Sequence, residues 1–304
     1  MYWFLIALGA PFLWALVNIS DQYFVSKYSV GEYGSGALVL FGSFIAIIIA
    51  AIIGLMTNGI FQVSGIDKLL LLIVGAITVA WVILYLFSLE TEDVSIVASW
   101  FLTIPVFSYV LGYLFLGELF SLRQFFGAGI ILCGVFFIVM DFSGPKKHIK
   151  WKPSLYMFGA GLLIAIAGTL FKYVTISGNF WISSFWEYCG FGIAGLLVFL
   201  CAPKYRRDFI VMAKRSKGKI FALSIFIELL TIGGNLLNNY ALLLAPIAMV
   251  YLVGSFQPVI VFVMMLFMTR FFPAIAKEDI SKKAIMVKIV AIGVMAAGSA
   301  ILFT

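Results

Sequence analysis

Charge is scarce in this chain. Asp, Glu, Lys and Arg make up 11% of its 304 residues, against about 25% in soluble globular domains. So few polar groups cannot coat a water-facing globule of this size. The remainder is 64% hydrophobic, with a mean hydropathy of +1.15, and a polytopic membrane protein is the class that fits. Histidine occurs once, as His148 in a loop. There is no His-Glu-x-x-His and no Gly-x-Ser-x-Gly, so the chain has no constellation for metal-dependent or nucleophilic catalysis and is not read as an enzyme. Cys133, Cys189 and Cys201 lie far apart, each in or at the end of an apolar run, which is neither a disulfide framework nor a metal cluster. A Gly-x-x-x-x-Gly-Lys-[Ser/Thr] loop is missing too, which excludes ATP binding by that route. No cofactor and no metal are expected. The net charge of +7 sits in loops between apolar runs, so its partner is the bilayer and not nucleic acid.

What the chain does have is length in its apolar runs. Ten are visible, at about 3–25, 34–56, 69–89, 94–117, 124–140, 154–176, 180–201, 220–243, 247–269 and 285–303. Most match the roughly 20 residues that a helix needs to cross about 30 Å of hydrocarbon. A spanning segment must satisfy its own backbone hydrogen bonds, which predicts an all-α protein with ten transmembrane helices. The first run lacks a basic leader and a small-residue cleavage site, and reads as a span, not a signal peptide. Most loops are short, so no soluble domain is expected.

The stretch 142–153 divides the runs into five and five, 1–141 and 154–304, joined by a basic linker. The halves correspond at an offset of 153: Ser95–Pro105 lies over Ala248–Pro258, and Thr78 falls on Thr231. After an insertion, Gly129 and Gly134 fall on Gly293 and Gly298. Five spans per repeat is an odd number, so the second half enters the membrane from the opposite side. Two inverted five-helix repeats are associated with secondary transporters that bind cargo near the midplane, between the repeats.

Basic residues sort by loop parity. Seventeen of the twenty Lys and Arg lie in or beside the odd-numbered loops, among them Lys146, Lys147, Arg206, Arg207, Lys282 and Lys283. The positive-inside rule then places those loops in the cytoplasm and both termini outside.

Charged side chains within spans are functional candidates, because each costs roughly 2.5–3.5 kcal/mol at a helix centre. Asp21 and Lys172 lie four residues from the ends of the first and sixth runs, close enough to snorkel to the interface. Glu187, seven residues into the seventh run, is nearly level with Lys172, and a buried Lys172–Glu187 ion pair would neutralise both. Glu228 is nine residues into the eighth run, with Thr231, Asn235 and Asn238 at +3, +7 and +10 on one helical face. Lipid cannot satisfy that face, so it must look into protein or a water-filled cavity. Trp14 and Asn18 on the first span, Tyr85 on the third and Tyr251 on the ninth are candidate walls of a substrate pocket. Trp81, Ser99, Thr103 and Ser255 are further candidates. Pro105 and Pro258 each remove a backbone hydrogen bond in mid-span, which predicts kinks and candidate gating hinges. The clusters Gly127-x-Gly129 and Gly190-x-Gly192-x-x-Gly195 read as close-packing sites, compatible with a monomer or a weak homodimer.

Ten helices in two fives, each half with a proline in its fourth helix, resemble the EamA-type members of the drug/metabolite transporter superfamily. The segment Pro105-Val-Phe-Ser-Tyr-Val-Leu-Gly-Tyr-Leu-Phe-Leu-Gly-Glu118, followed by Arg123–Gly127 and Gly134, is similar to that family's fourth and fifth helices. There a glutamate ends helix 4 and two glycines pack helix 5. The second half departs from the pattern: Phe271 stands at the repeat equivalent of Glu118, and 272–283 is inserted before the last run. The resemblance implies transport without naming a cargo, and both termini in the cytoplasm, the reverse of the positive-inside reading. The expected function is therefore non-ATP transport of a small polar or amphipathic metabolite across a plasma or inner membrane by alternating access, with protons as a candidate coupling ion through Glu228. The alternatives are a lipid-headgroup translocase and a non-transporting scaffold of the same fold.

Overall fold

The computed structural model describes residues 2–24, 36–90, 97, 100–139, 151–215 and 218–271, with scattered positions between 286 and 301. All regular structure among them is helical. In chain order the helices are α1 (Tyr2–Phe24), α2 (Gly36–Met56), α3 (Gly65–Leu89), α4 (Thr103–Leu111), α5 (Leu122–Val139), α6 (Trp151–Thr175), α7 (Phe180–Cys201), α8 (Pro203–Arg215), α9 (Gly218–Leu244), α10 (Ile247–Gly254) and α11 (Gln257–Phe271). Seven segments are long and apolar enough to cross a membrane, and Thr103–Leu116 and Leu122–Gly134 are shorter apolar helices. Most of the tenth expected span, 285–303, lies outside the described residues.

Local chemistry sets several helix ends. Ser64 caps α3 by accepting the Asp67 backbone N–H at 3.1 Å, and Asp67 adds a negative charge to the first turn, where the helix dipole favours it. Asn179 caps α7 by accepting from the Trp181 and Ile182 amides. After α4 a π-helical turn, Gly112–Leu116, runs to Gly117, whose φ of +64° suits glycine and turns the chain back. Within the spans, Ser43, Thr78, Thr169, Thr175 and Thr231 donate to carbonyls four residues earlier, so their hydroxyls carry no unmet bond into lipid.

Each proline-bearing span departs from regular α-helix for two residues shortly before its proline. The fourth is interrupted at Phe101–Leu102 and the ninth at Ser255–Phe256. Pro105 and Pro258 then fall in the first turns of α4 and α11, where a missing N–H costs little because that amide has no intrahelical acceptor.

α1 packs along α9, and α3 packs along α6 and α7. α2 lies against α7. The α3–α7 contact is the tightest: a Cβ on Gly75 would overlap the Glu187 carbonyl, and one on Gly190 would overlap the Leu72 backbone. Such small-residue approaches replace hydrophobic driving force as the glue of spans in lipid. α2 and α9, by contrast, stand apart for most of their length. The segment read as the loop 202–219 contains α8, a short amphipathic helix. Met212 is buried on its inner side and Tyr205 packs on Gly36, while Arg207 is largely exposed.

Candidate functional site

A cavity of about 170 Å³ lies between α1, α2 and α3 on one side and α6, α7, α9 and α10 on the other. That is well above the roughly 10–15 Å³ which admits one water, so it is not a packing defect. Glu228, Thr231, Asn235, Asn238, Trp14, Asn18, Tyr85 and Tyr251, singled out from the sequence, all line it. The helical face of α9 supplies four of them because positions 228, 231, 235 and 238 share one side of a 3.6-residue helix.

Asp21 and Glu187 line the same cavity. Among the described residues the lining includes three carboxylates and no lysine, arginine or histidine. The Glu228 side chain rests on α2 at Gly42, where a Cβ would stand 2.7 Å from Oε1, so glycine is what admits the carboxylate. Among the described residues it has no hydrogen-bond or ion-pair partner. Glu187 accepts from Asn239 Nδ2 at 2.9 Å. The Tyr85 hydroxyl lies 3.1 Å from Asn18 Oδ1 and 3.2 Å from Asp21 Oδ2. It has one proton to give, and an ionised Asp21 is the stronger acceptor. Trp14 Nε1 donates to Asn235 Oδ1 at 3.2 Å, tying α1 to α9. Tyr85 stacks on Phe101 with centroids 5.9 Å apart, and Trp81 adjoins it at 6.4 Å. The cavity therefore has acidic groups set among aromatic walls.

Two expectations are corrected. The Lys172–Glu187 pair does not form: Lys172 Nζ meets Glu118 Oε1 at 2.6 Å and donates to the Ala245 carbonyl at 2.6 Å. Nor do Asp21 and Lys172 snorkel, being only 5% and 4% exposed. Asp21 faces the cavity, and Lys172 belongs to a clasp at the end of α6. There the other oxygen of Glu118 accepts the Ile247 amide at 2.8 Å, so one carboxylate caps α10 and binds an ammonium. The turn at Gly117 carries Glu118 back into this position, with its amide donating to the Gly112 carbonyl at 3.1 Å. The clasp thus joins the end of the fourth span to the sixth span and to the junction of the eighth and ninth.

Sequence reasoning missed Asn239 and Gln257 as cavity residues. Asn239 was within reach, since it follows Asn238. Gln257 became visible only with the break at Ser255–Phe256. Among the described residues, Phe101, Ile104 and Gly254 beside the breaks line the cavity and Pro105 does not; the Pro258 side chain lies outside the described residues. Of the glycine clusters, Gly190, Gly192 and Gly195 each press on a neighbouring helix, whereas among the described residues a Cβ on Gly129 would meet nothing within 4 Å.

Comparison with known proteins agrees with this architecture. The profile of the EamA-like transporter family matches residues 1–140. No curated protein matches the sequence. Twenty-six chains of solved structures match it. One, described only as a crystal structure of a protein, has 12% sequence identity and a TM-score of 0.67, over 99% of this chain and 95% of its own. At that identity the likeness is one of fold. The regular structure of the described residues is all helical, with seven long apolar segments, and a solved fold is matched over nearly the whole length; within this multi-pass integral membrane protein, the first 140 residues are similar to the EamA-like transporter family.

Proposed function

We propose that the protein moves a small polar or amphipathic metabolite by alternating access, with Glu228 as the carboxylate that exchanges a proton or pairs with a cationic cargo. The observation that carries this is an acidic side chain at cavity depth with no partner among the described residues. A charge left in a low-dielectric site must be paired, hydrated or neutralised by a proton. A carboxylate that is neutralised in one state and released in another couples proton and cargo by competition.

The reading takes the two halves as inverted repeats, and the helix contacts are consistent with that. Exchanging spans one to five with six to ten maps the α1–α9 contact onto α6–α3, and both are extensive. The interruptions at Phe101–Leu102 and Ser255–Phe256 fall at equivalent places in the halves. The pattern breaks in one pair: α3 and α7 are zipped together at Gly75 and Gly190, while their counterparts α9 and α2 meet over a short stretch, at Phe41–Phe221 and Gly42–Glu228. We read that inequality as one half of a cycle in which the two contacts take turns, with the breaks before Pro105 and Pro258 as hinges. The Glu118–Lys172 clasp holds the side at which the sixth span ends and the ninth begins. The bilayer and a small solute are the partners this scheme needs.

Reconstituted protein tests it. Liposomes carrying a pH gradient should accumulate at least one member of a panel of labelled organic cations, amino acids and neutral metabolites, and should lose that accumulation when the gradient is collapsed. Panel-wide uptake no faster than in protein-free liposomes, from protein verified as folded, would overturn it.

A further inference from the structure

The three carboxylates are not gathered at one point. Glu187 is bonded to Asn239, which stands eleven residues beyond Glu228 on α9, a rise of about 16 Å. Allowing for the reach of the side chains, the two glutamates mark levels on the order of 10 Å apart. Asp21 belongs with the Glu228 level: α1 runs antiparallel to α9, with Gly9 beside Leu237 and Leu13 beside Gly233, and the same register carries Asp21 to about the height of Glu228. The walls of the same cavity are aromatic, with Trp81, Phe171 and Phe191 among them. A second observation points to a ligand at the Asp21 end. Asn18 is 4% exposed, lines the cavity and has a side-chain nitrogen without a partner. An ammonium at this end of the cavity, with three hydrogens to donate, has the Asp21 and Glu228 carboxylates in the wall beside it.

We infer, building on the transporter reading above, that the cargo is an elongated organic dication of the diamine or polyamine class, one ammonium held at Asp21 and Glu228 and the other at Glu187. A monocation would leave one acidic level without a counter-charge, whereas two charges joined by an alkyl chain match two acidic levels in one aromatic-walled cavity. The aromatic faces add attraction to the cationic ends.

The test is a length series on the purified full-length protein, by calorimetry: putrescine, cadaverine, 1,8-diaminooctane and spermidine, with 8-amino-1-octanol as the single-charge match. 1,8-Diaminooctane and spermidine should bind at least about tenfold more tightly than putrescine and than the amino alcohol, the worth of one charge-assisted contact. Glu187→Gln and Glu228→Gln should each bring the diamine down to the level of the amino alcohol. If either variant does not fold, the wild-type series decides alone. Equal binding of 1,8-diaminooctane and 8-amino-1-octanol would overturn the dication while leaving a monocation transporter standing. If no amine binds and the liposomes accumulate only neutral or anionic compounds, the role given to the carboxylates falls as well.

Discussion

Replacing Lys172 by methionine keeps most of the side-chain volume and removes one charge from the clasp. The ammonium makes two short contacts, to Glu118 Oε1 and to the Ala245 carbonyl, both at 2.6 Å. The lysine side chain is 5% exposed and that of Glu118 16%, so water cannot replace what is lost. Taking one partner from a buried pair costs about 3–5 kcal/mol, because the remaining charge is stranded. At roughly 2 °C per kcal/mol for a chain of this length, Lys172→Met should lower the unfolding midpoint by about 6–10 °C. Adding Glu118→Gln removes the stranded charge but keeps an oxygen for the Ile247 amide, which Glu118 now accepts at 2.8 Å. The double variant should therefore recover most of the loss and lie within about 1–2 kcal/mol of wild type. The assay is helical circular dichroism against temperature for wild type, both singles and the double. A single variant within 1 °C of wild type, or a double variant that loses the sum of the two singles, would refute the clasp as a coupled pair.

Other outcomes follow from named contacts. Gly190→Val should prevent folding, since even a Cβ there overlaps the Leu72 backbone; a size-exclusion profile without a monodisperse peak checks this, and a folded variant would contradict it. Tyr85→Phe removes only the hydroxyl that serves Asp21 and Asn18, so it should leave the fold intact and weaken cargo binding roughly tenfold, read as KM of uptake. In a background with the three cysteines replaced, the positive-inside count predicts that an impermeant maleimide labels Phe61→Cys in intact cells and reaches Arg207→Cys only after permeabilisation; Phe61 is 69% exposed and the Arg207 side chain 76%. The opposite labelling would place the termini in the cytoplasm.

The helical spans and the polar face of α9 were legible because both are periodic along one chain. Twenty apolar residues state their length, and Glu228, Thr231, Asn235 and Asn238 recur at helical spacing whatever surrounds them. Partnership across helices was not legible. Depth alone made Glu187 the natural match for Lys172, but azimuth decides contact, and the turn at Gly117 brings Glu118 to the lysine instead. Asp21 read as a snorkelling residue since its distance from the helix end permits that; only the fold shows the Tyr85 hydroxyl of α3 reaching it. The interrupted spans were foreshadowed by Pro105 and Pro258, yet a proline signals a lost hydrogen bond and not where the chain will interrupt itself. α8 was hidden because a helix of thirteen residues with five basic side chains looks like loop to a search for apolar length.

The central claim is that Glu228 couples cargo to protons. It is tested most directly by comparing wild type with Glu228→Gln in liposomes, measuring accumulation of a transported cation as a function of the imposed pH gradient. Glutamine keeps the shape and the hydrogen-bonding capacity beside Gly42 but cannot take up or release the proton. The account predicts that wild-type accumulation follows the gradient and that the folded, inserted variant accumulates nothing above the level set by simple equilibration. Wild-type rates in Glu228→Gln, with the same dependence on pH, would contradict it.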